Sequence, residues 1–72
     1  MLKNESQTLT VNGTAHPWTD GLTVGKLLDS LHLNPVTIVV ECNGNILSRE
    51  SLAESPLAAG DVVEIVRFVG GG

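Results

Sequence analysis

An α+β fold, with one main helix packed on one face of a mixed sheet of four to five strands, follows from three features of this 72-residue sequence. Two Asn-Gly pairs, Asn12-Gly13 and Asn43-Gly44, sit between residues of alternating polarity and mark tight hairpins. One stretch between them, Val24 to Leu31, carries apolar residues at helical spacing. The chain closes on an alternating segment that runs directly into Gly70, Gly71 and Gly72.

Met1 to Ser6 is polar apart from Leu2 and is expected to be a loose lead-in or an irregular start to the first strand. From Gln7, Leu9 and Val11 point one way while Thr8, Thr10 and Asn12 point the other, the pattern of a strand with one wet face. The return strand, Thr14 to Trp18, contains Pro17, whose missing N–H assigns it to a sheet edge. Trp18 covers one end of the core. Thr23 is the N-cap of the helix, and Leu22 and Leu27 occupy the two positions of a hydrophobic staple. Val24, Leu27, Leu28 and Leu31 form a stripe that needs a sheet to cover it, and Asn34-Pro35 is expected to end the helix, with His32 in its last turn.

Val36 to Cys42 is the most strongly β-like run, with Val36, Ile38, Val40 and Cys42 assigned to one face. Cys42 reads as a small buried hydrophobe rather than a reactive thiol, because no cationic neighbour is evident to lower its pKa. Asn45, Ile46 and Leu47 form a short return strand. Ser48 to Gly60 is a loop with a helical turn at Arg49 to Leu52, pegged to the core by Leu52 and Leu57.

The last segment, Asp61 to Phe68, offers two faces. Glu64 in the middle of a core would need a partner, whereas Arg67 lies near the end and its stem can carry the charge out to water. Val63 and Ile65 are therefore placed inward, leaving Val66 and Phe68 on the open face of the sheet with Val39 alongside, an exposed apolar patch suited to docking. Sequential pairing and right-handed crossovers put this strand beside the first, in the middle of the sheet. That is the β-grasp arrangement of ubiquitin. It divides the chain into a domain at residues 1–69 and a glycine tail at residues 70–72.

A formal charge of −4, with only Lys3, Lys26, Arg49 and Arg67 basic, argues against nucleic acid as a partner and favours a basic protein surface. No apolar run approaches the roughly 20 residues of a membrane span, no signal-like start is present, and the single cysteine fits a reducing cytoplasm. His16 and His32 are too few to suggest a metal site. The glycine tail lacks side chains whose burial would offset its ordering, so it is expected to stay disordered until a partner grips it. Extended from Val69 to Gly72 it would reach roughly 13 to 14 Å, far enough to enter another protein's active site. An inert flexible end is the competing reading.

The run Gly60-Asp61-Val62-Val63-Glu64-Ile65-Val66-Arg67-Phe68-Val69-Gly70-Gly71-Gly72 resembles the ThiS sulfur carriers of bacterial thiamine biosynthesis. Val39-Val40-Glu41-Cys42-Asn43-Gly44-Asn45-Ile46-Leu47, Arg49 and the helix from Leu22 to Leu31 fit the same family, so the resemblance spans nearly the whole chain. The related MoaD carriers usually approach the diglycine through a proline, which Phe68-Val69 is not.

The resemblance implies a cosubstrate rather than an enzyme, with no cofactor of its own and a monomer when alone. Its activity would reside in the α-carboxylate of Gly72. An E1-like adenylyltransferase of the ThiF type, using ATP and magnesium, would form an acyl-adenylate there. Sulfur from cysteine, delivered through a cysteine desulfurase, would replace AMP to leave a thiocarboxylate for a ThiG-type thiazole synthase. Gly70 and Gly71 would thread the tail, and Phe68, Val66 and Val69 would dock. The alternatives are a MoaD-like carrier for molybdopterin, a ubiquitin-like modifier forming isopeptide bonds, and an interaction module without sulfur chemistry.

Overall fold

The structure, a computed structural model, describes residues 7–67. Five strands form one sheet: β1 (Gln7–Val11), β2 (Thr14–Trp18), β3 (Ile38–Cys42), β4 (Asn45–Ile46) and β5 (Val62–Arg67), in the spatial order β2-β1-β5-β3-β4. The helix α1 (Val24–Ser30) crosses one face. β1 pairs in parallel with β5, and the other neighbours are antiparallel. This mixed sheet, with one α-helix among the described residues, is the predicted β-grasp, with the last strand central and the Pro17 strand at an edge.

The core lies between α1 and the sheet. Leu9, Val24, Leu27, Leu28, Ile38, Val40 and Val63 are its fully buried side chains, and Leu52 and Leu57 close one side. Val63 is buried and Ile65 packs against the core, while Val62, Glu64 and Val66 are exposed, so the expected facing of β5 holds. Trp18 is half-buried against the core, and its Nε1–H donates to the Leu57 carbonyl at 2.7 Å. Thr23 caps α1 by accepting from the Lys26 N–H, and Leu22 and Leu27 both pack into the core, as a staple requires.

Three local expectations are corrected. The helix ends at Ser30, well before Asn34-Pro35, because His32 takes a left-handed φ of 59°. The His32 N–H then bonds Asp29 C=O (3.0 Å) and the Leu33 N–H bonds Leu28 C=O (2.9 Å), a Schellman closure in which Leu33 packs onto the core. His32 thus follows the helix instead of lying in its last turn. Val36 does not extend β3 inward: Pro35–Thr37 is a 3₁₀ turn capped by Asn34 Oδ1 on the Val36 N–H, and Val36 is 69% exposed. The helical turn expected at Arg49 to Leu52 forms later, as a 3₁₀ turn at Leu52–Glu54. That turn lies so close to α1 that a Cβ at Gly25 would stand 2.7 Å from the Ala53 carbonyl oxygen.

Candidate functional site

β5 is the strand that leads toward the predicted tail, and its backbone is held from both sides by the two hairpins. Asn12 and Asn43 both have φ of 51°, followed by Gly13 at 82° and Gly44 at 88°, the left-handed pair that a type I′ turn needs. In this conformation each asparagine turns its side chain onto β5. β1 ends at Val11, yet the Asn12 amide continues its ladder: the Ile65 N–H donates to Oδ1 at 2.7 Å and Nδ2 donates to the Ile65 carbonyl at 3.3 Å. On the other side Asn43 Oδ1 accepts from the Val62 N–H at 2.9 Å, and the Asn43 N–H donates to the Val62 carbonyl at 2.8 Å.

Asp61 completes the second hold. Its Oδ2 accepts from the Ala58 N–H at 2.8 Å, its Oδ1 accepts from Asn43 Nδ2 at 3.0 Å, and the Cys42 thiol lies 3.8 Å from Oδ2. The Ala58 N–H, with the Asn43 amide behind it, holds the Asp61 carboxyl below the usual carboxylate range. Cys42 is half-buried rather than buried; burial, reinforced by the Asp61 charge, pushes its thiol up. A raised pKa keeps it protonated at neutral pH, which agrees with the expectation of an unreactive thiol. Asp61 is committed to these internal bonds.

The open face of the sheet carries the described part of the predicted docking patch. Val66 is 58% exposed and stands in register with the half-buried Val39 on β3. Glu41 and Glu64 face each other in the next pair but one, and Ile46 on β4 flanks Glu41. Phe68 and Val69, assigned to docking, and Gly70, Gly71 and Gly72, assigned to threading and attachment, lie outside the described residues, as does the boundary between domain and tail. Among the described residues no group of three or more His, Cys, Asp or Glu side chains is arranged to hold a metal ion, and no helix is long and apolar enough to cross a membrane. Sequence reasoning assigned Asn12 and Asn43 to turns alone; the signal it had was their identical position in two hairpins of one sheet.

The model of the ThiS family matches residues 4–72. The chain belongs to the ThiS family. It is 42% identical over 65 residues to the sulfur carrier protein ThiS of Bacillus subtilis, covering 89% of this chain and 98% of that protein. A crystal structure of ThiS from Geobacter metallireducens superposes with a TM-score of 0.72 at 39% identity, over 90% of this chain and 99% of that one. The thiazole synthase of Paramagnetospirillum magneticum contains a stretch 36% identical to this ThiS-family chain over 64 residues, 89% of this chain but only 20% of that protein.

Proposed function

We propose that the protein is a sulfur carrier for the thiazole of thiamine, a cosubstrate that lends its C-terminus to partner enzymes and lowers no barrier itself. The observation that carries this reading is the family match running through Gly72, downstream of a strand that the fold anchors at the centre of its sheet. The α-carboxyl of Gly72 is an anion at neutral pH, with an ordinary pKa of about 3.3 to 3.7, and a carboxylate resists nucleophiles. An E1-like enzyme of the ThiF type, with ATP and magnesium, joins it to AMP and releases pyrophosphate. Sulfur derived from cysteine through a desulfurase, carried as a persulfide, then displaces AMP, and a thiol such as excess cysteine reduces the resulting acyl disulfide to leave a thiocarboxylate. The acceptor is a ThiG-type thiazole synthase, a choice supported by the synthase that contains a stretch similar to this chain.

Anchoring of β5 fits this role. The hydrogen bonds of Asn12 and Asn43 limit how far the base of the tail can wander, so less freedom remains to be lost when a partner takes up the terminus. Gly70 and Gly71 present no Cβ to a narrow channel, and Val66, Phe68 and Val69 provide the apolar contact beside it.

The test is a mass spectrum of the peptide ending in Gly72 after incubation with ATP, magnesium, the activating enzyme, a desulfurase and cysteine. Replacement of oxygen by sulfur on that peptide, dependent on ATP, is the expected result. Its absence under conditions that modify another ThiS would refute the reading, and high-mass adducts on lysines would indicate a modifier instead. Gly71→Val should abolish ATP/pyrophosphate exchange by obstructing the threaded tail; exchange at the normal rate would remove the slim-channel argument.

A further inference from the structure

We propose that the open face of the sheet docks onto a protein surface that presents an arginine to the paired carboxylates of Glu41 and Glu64, with apolar contacts along β5 and toward β4. The inference rests on the carrier reading and specifies the partner surface: that of the activating enzyme, the first protein to grip the terminus. Glu41 and Glu64 are direct partners across β3 and β5. Alternation along both strands turns them away from the core, with Val40, Val63 and Ile65 on the other side. Like charges directly opposite in an antiparallel pair destabilise the sheet, so the fold itself gains nothing from this arrangement.

No described cation offsets the pair. Lys26 Nζ donates to the Gly21 carbonyl beside α1, and Arg49 Nη1 donates to the Pro35 carbonyl. Arg67 lies on the helix side, lining a groove with Asn12, Leu33, Ile38 and Ile65. Lys3 lies outside the described residues.

Along β5 and toward β4 the surface beside the carboxylates is apolar, and Thr10 of β1 borders it on the other side. Val66 with Val39 lies toward the tail, Val62 lies at the start of β5, and Ile46 stands across from Glu41. Val62, Val66 and Ile46 are 47%, 58% and 72% exposed. Such a frame favours a guanidinium over an ammonium, because arginine is more weakly hydrated and its planar fork can serve two carboxylates at once. Position commits the surface to the partner that handles the terminus: Glu64 and Val66 lie on the strand that continues toward Phe68 and the glycines.

The experiment measures binding of the full chain to the E1-like activating enzyme by calorimetry at low and high salt. Wild type is compared with Glu41→Gln, Glu64→Gln, the double variant, and Glu54→Gln on the 3₁₀ turn as a control. The double variant should bind about tenfold or more weakly, with a flatter salt dependence, and should reach the wild-type adenylation rate at saturation. Its melting temperature should equal or exceed that of wild type, since removing the repulsion relieves the sheet. Wild-type affinity and salt dependence in the double variant would overturn the proposal, as would a fall in melting temperature that accounts for the lost binding. If wild type itself is neither bound nor adenylated, the carrier reading fails and the docking inference with it. If wild type is adenylated and the double variant matches it throughout, only the docking inference fails.

Discussion

The two hairpins use the same dipeptide in the same conformation, and they hold opposite halves of one strand. Asn12-Gly13 joins two five-residue strands, and its asparagine amide embraces both polar atoms of Ile65, near the end of β5 that leads to the tail. Asn43-Gly44 joins β3 to a return strand of only two residues, and its asparagine holds Val62 at the start of β5. The first clamp is neutral throughout. The second is built on an ionised carboxylate, because Asn43 also donates to Asp61. A turn chosen for backbone reasons therefore serves a second purpose, and the neighbouring charge gives the two copies different chemistry.

The largest effect expected from breaking this comparison belongs to Asp61→Ala. It removes the acceptor for the Ala58 N–H and for Asn43 at once, and hydrogen bonds to charged groups are worth about 1.5 to 3 kcal/mol in mutational series. Partial solvent exposure puts the expected loss near the lower end, about 1.5 kcal/mol, measurable by urea unfolding. The same group makes the second clamp sensitive to acid. Its folded-state pKa is depressed, so its stabilisation is complete above the ordinary aspartate value of about 3.9 and is lost as pH falls through the lower folded value.

Asn43→Gly keeps the left-handed turn while deleting the amide, and should lower stability by about 1 kcal/mol. It should also shrink the loss of stability on acidification, because part of the Asp61 shift comes from Asn43. Asn12→Gly should lower global stability by a similar or smaller amount, about 0.5 to 1 kcal/mol, and leave the acid dependence unchanged. Its signature is local: faster hydrogen exchange at the Ile65 amide, with the Val62 amide unaffected. A double-mutant cycle sharpens the contrast. Asn43 and Asp61 should couple, whereas Asn12 and Asp61 should add. Equal coupling in both cycles would show that the clamps act through the whole sheet instead of separately.

The fold was largely legible because its signals are local. Pro17 assigned β2 to an edge by the donor it lacks, and the difference between Glu64 and Arg67 in their distance from the strand end correctly turned Val63 and Ile65 inward. The misplaced helix end has an equally local cause. Glycine is the usual residue at a left-handed C-terminal position, so His32 announces no stop, and Asn34-Pro35, which does, serves instead to start a 3₁₀ turn. That turn rotates Val36 out of the β pattern and onto the surface.

By itself the sequence determined the strands, the helix and its start, the hairpins, the inward faces of β1, β3 and β5 and the resemblance to ThiS carriers. Those depend on backbone sterics and on periodicity between near neighbours, which the order of residues states directly. Tertiary structure alone decided what the crossovers bring together. Asn12 meets Ile65 across 53 positions, Glu41 faces Glu64, and Gly25, apparently a weak point in a helix, is where Ala53 approaches too closely for a side chain. Such pairings follow from the register in which the central strand is laid between its neighbours, and no window of adjacent residues contains that register.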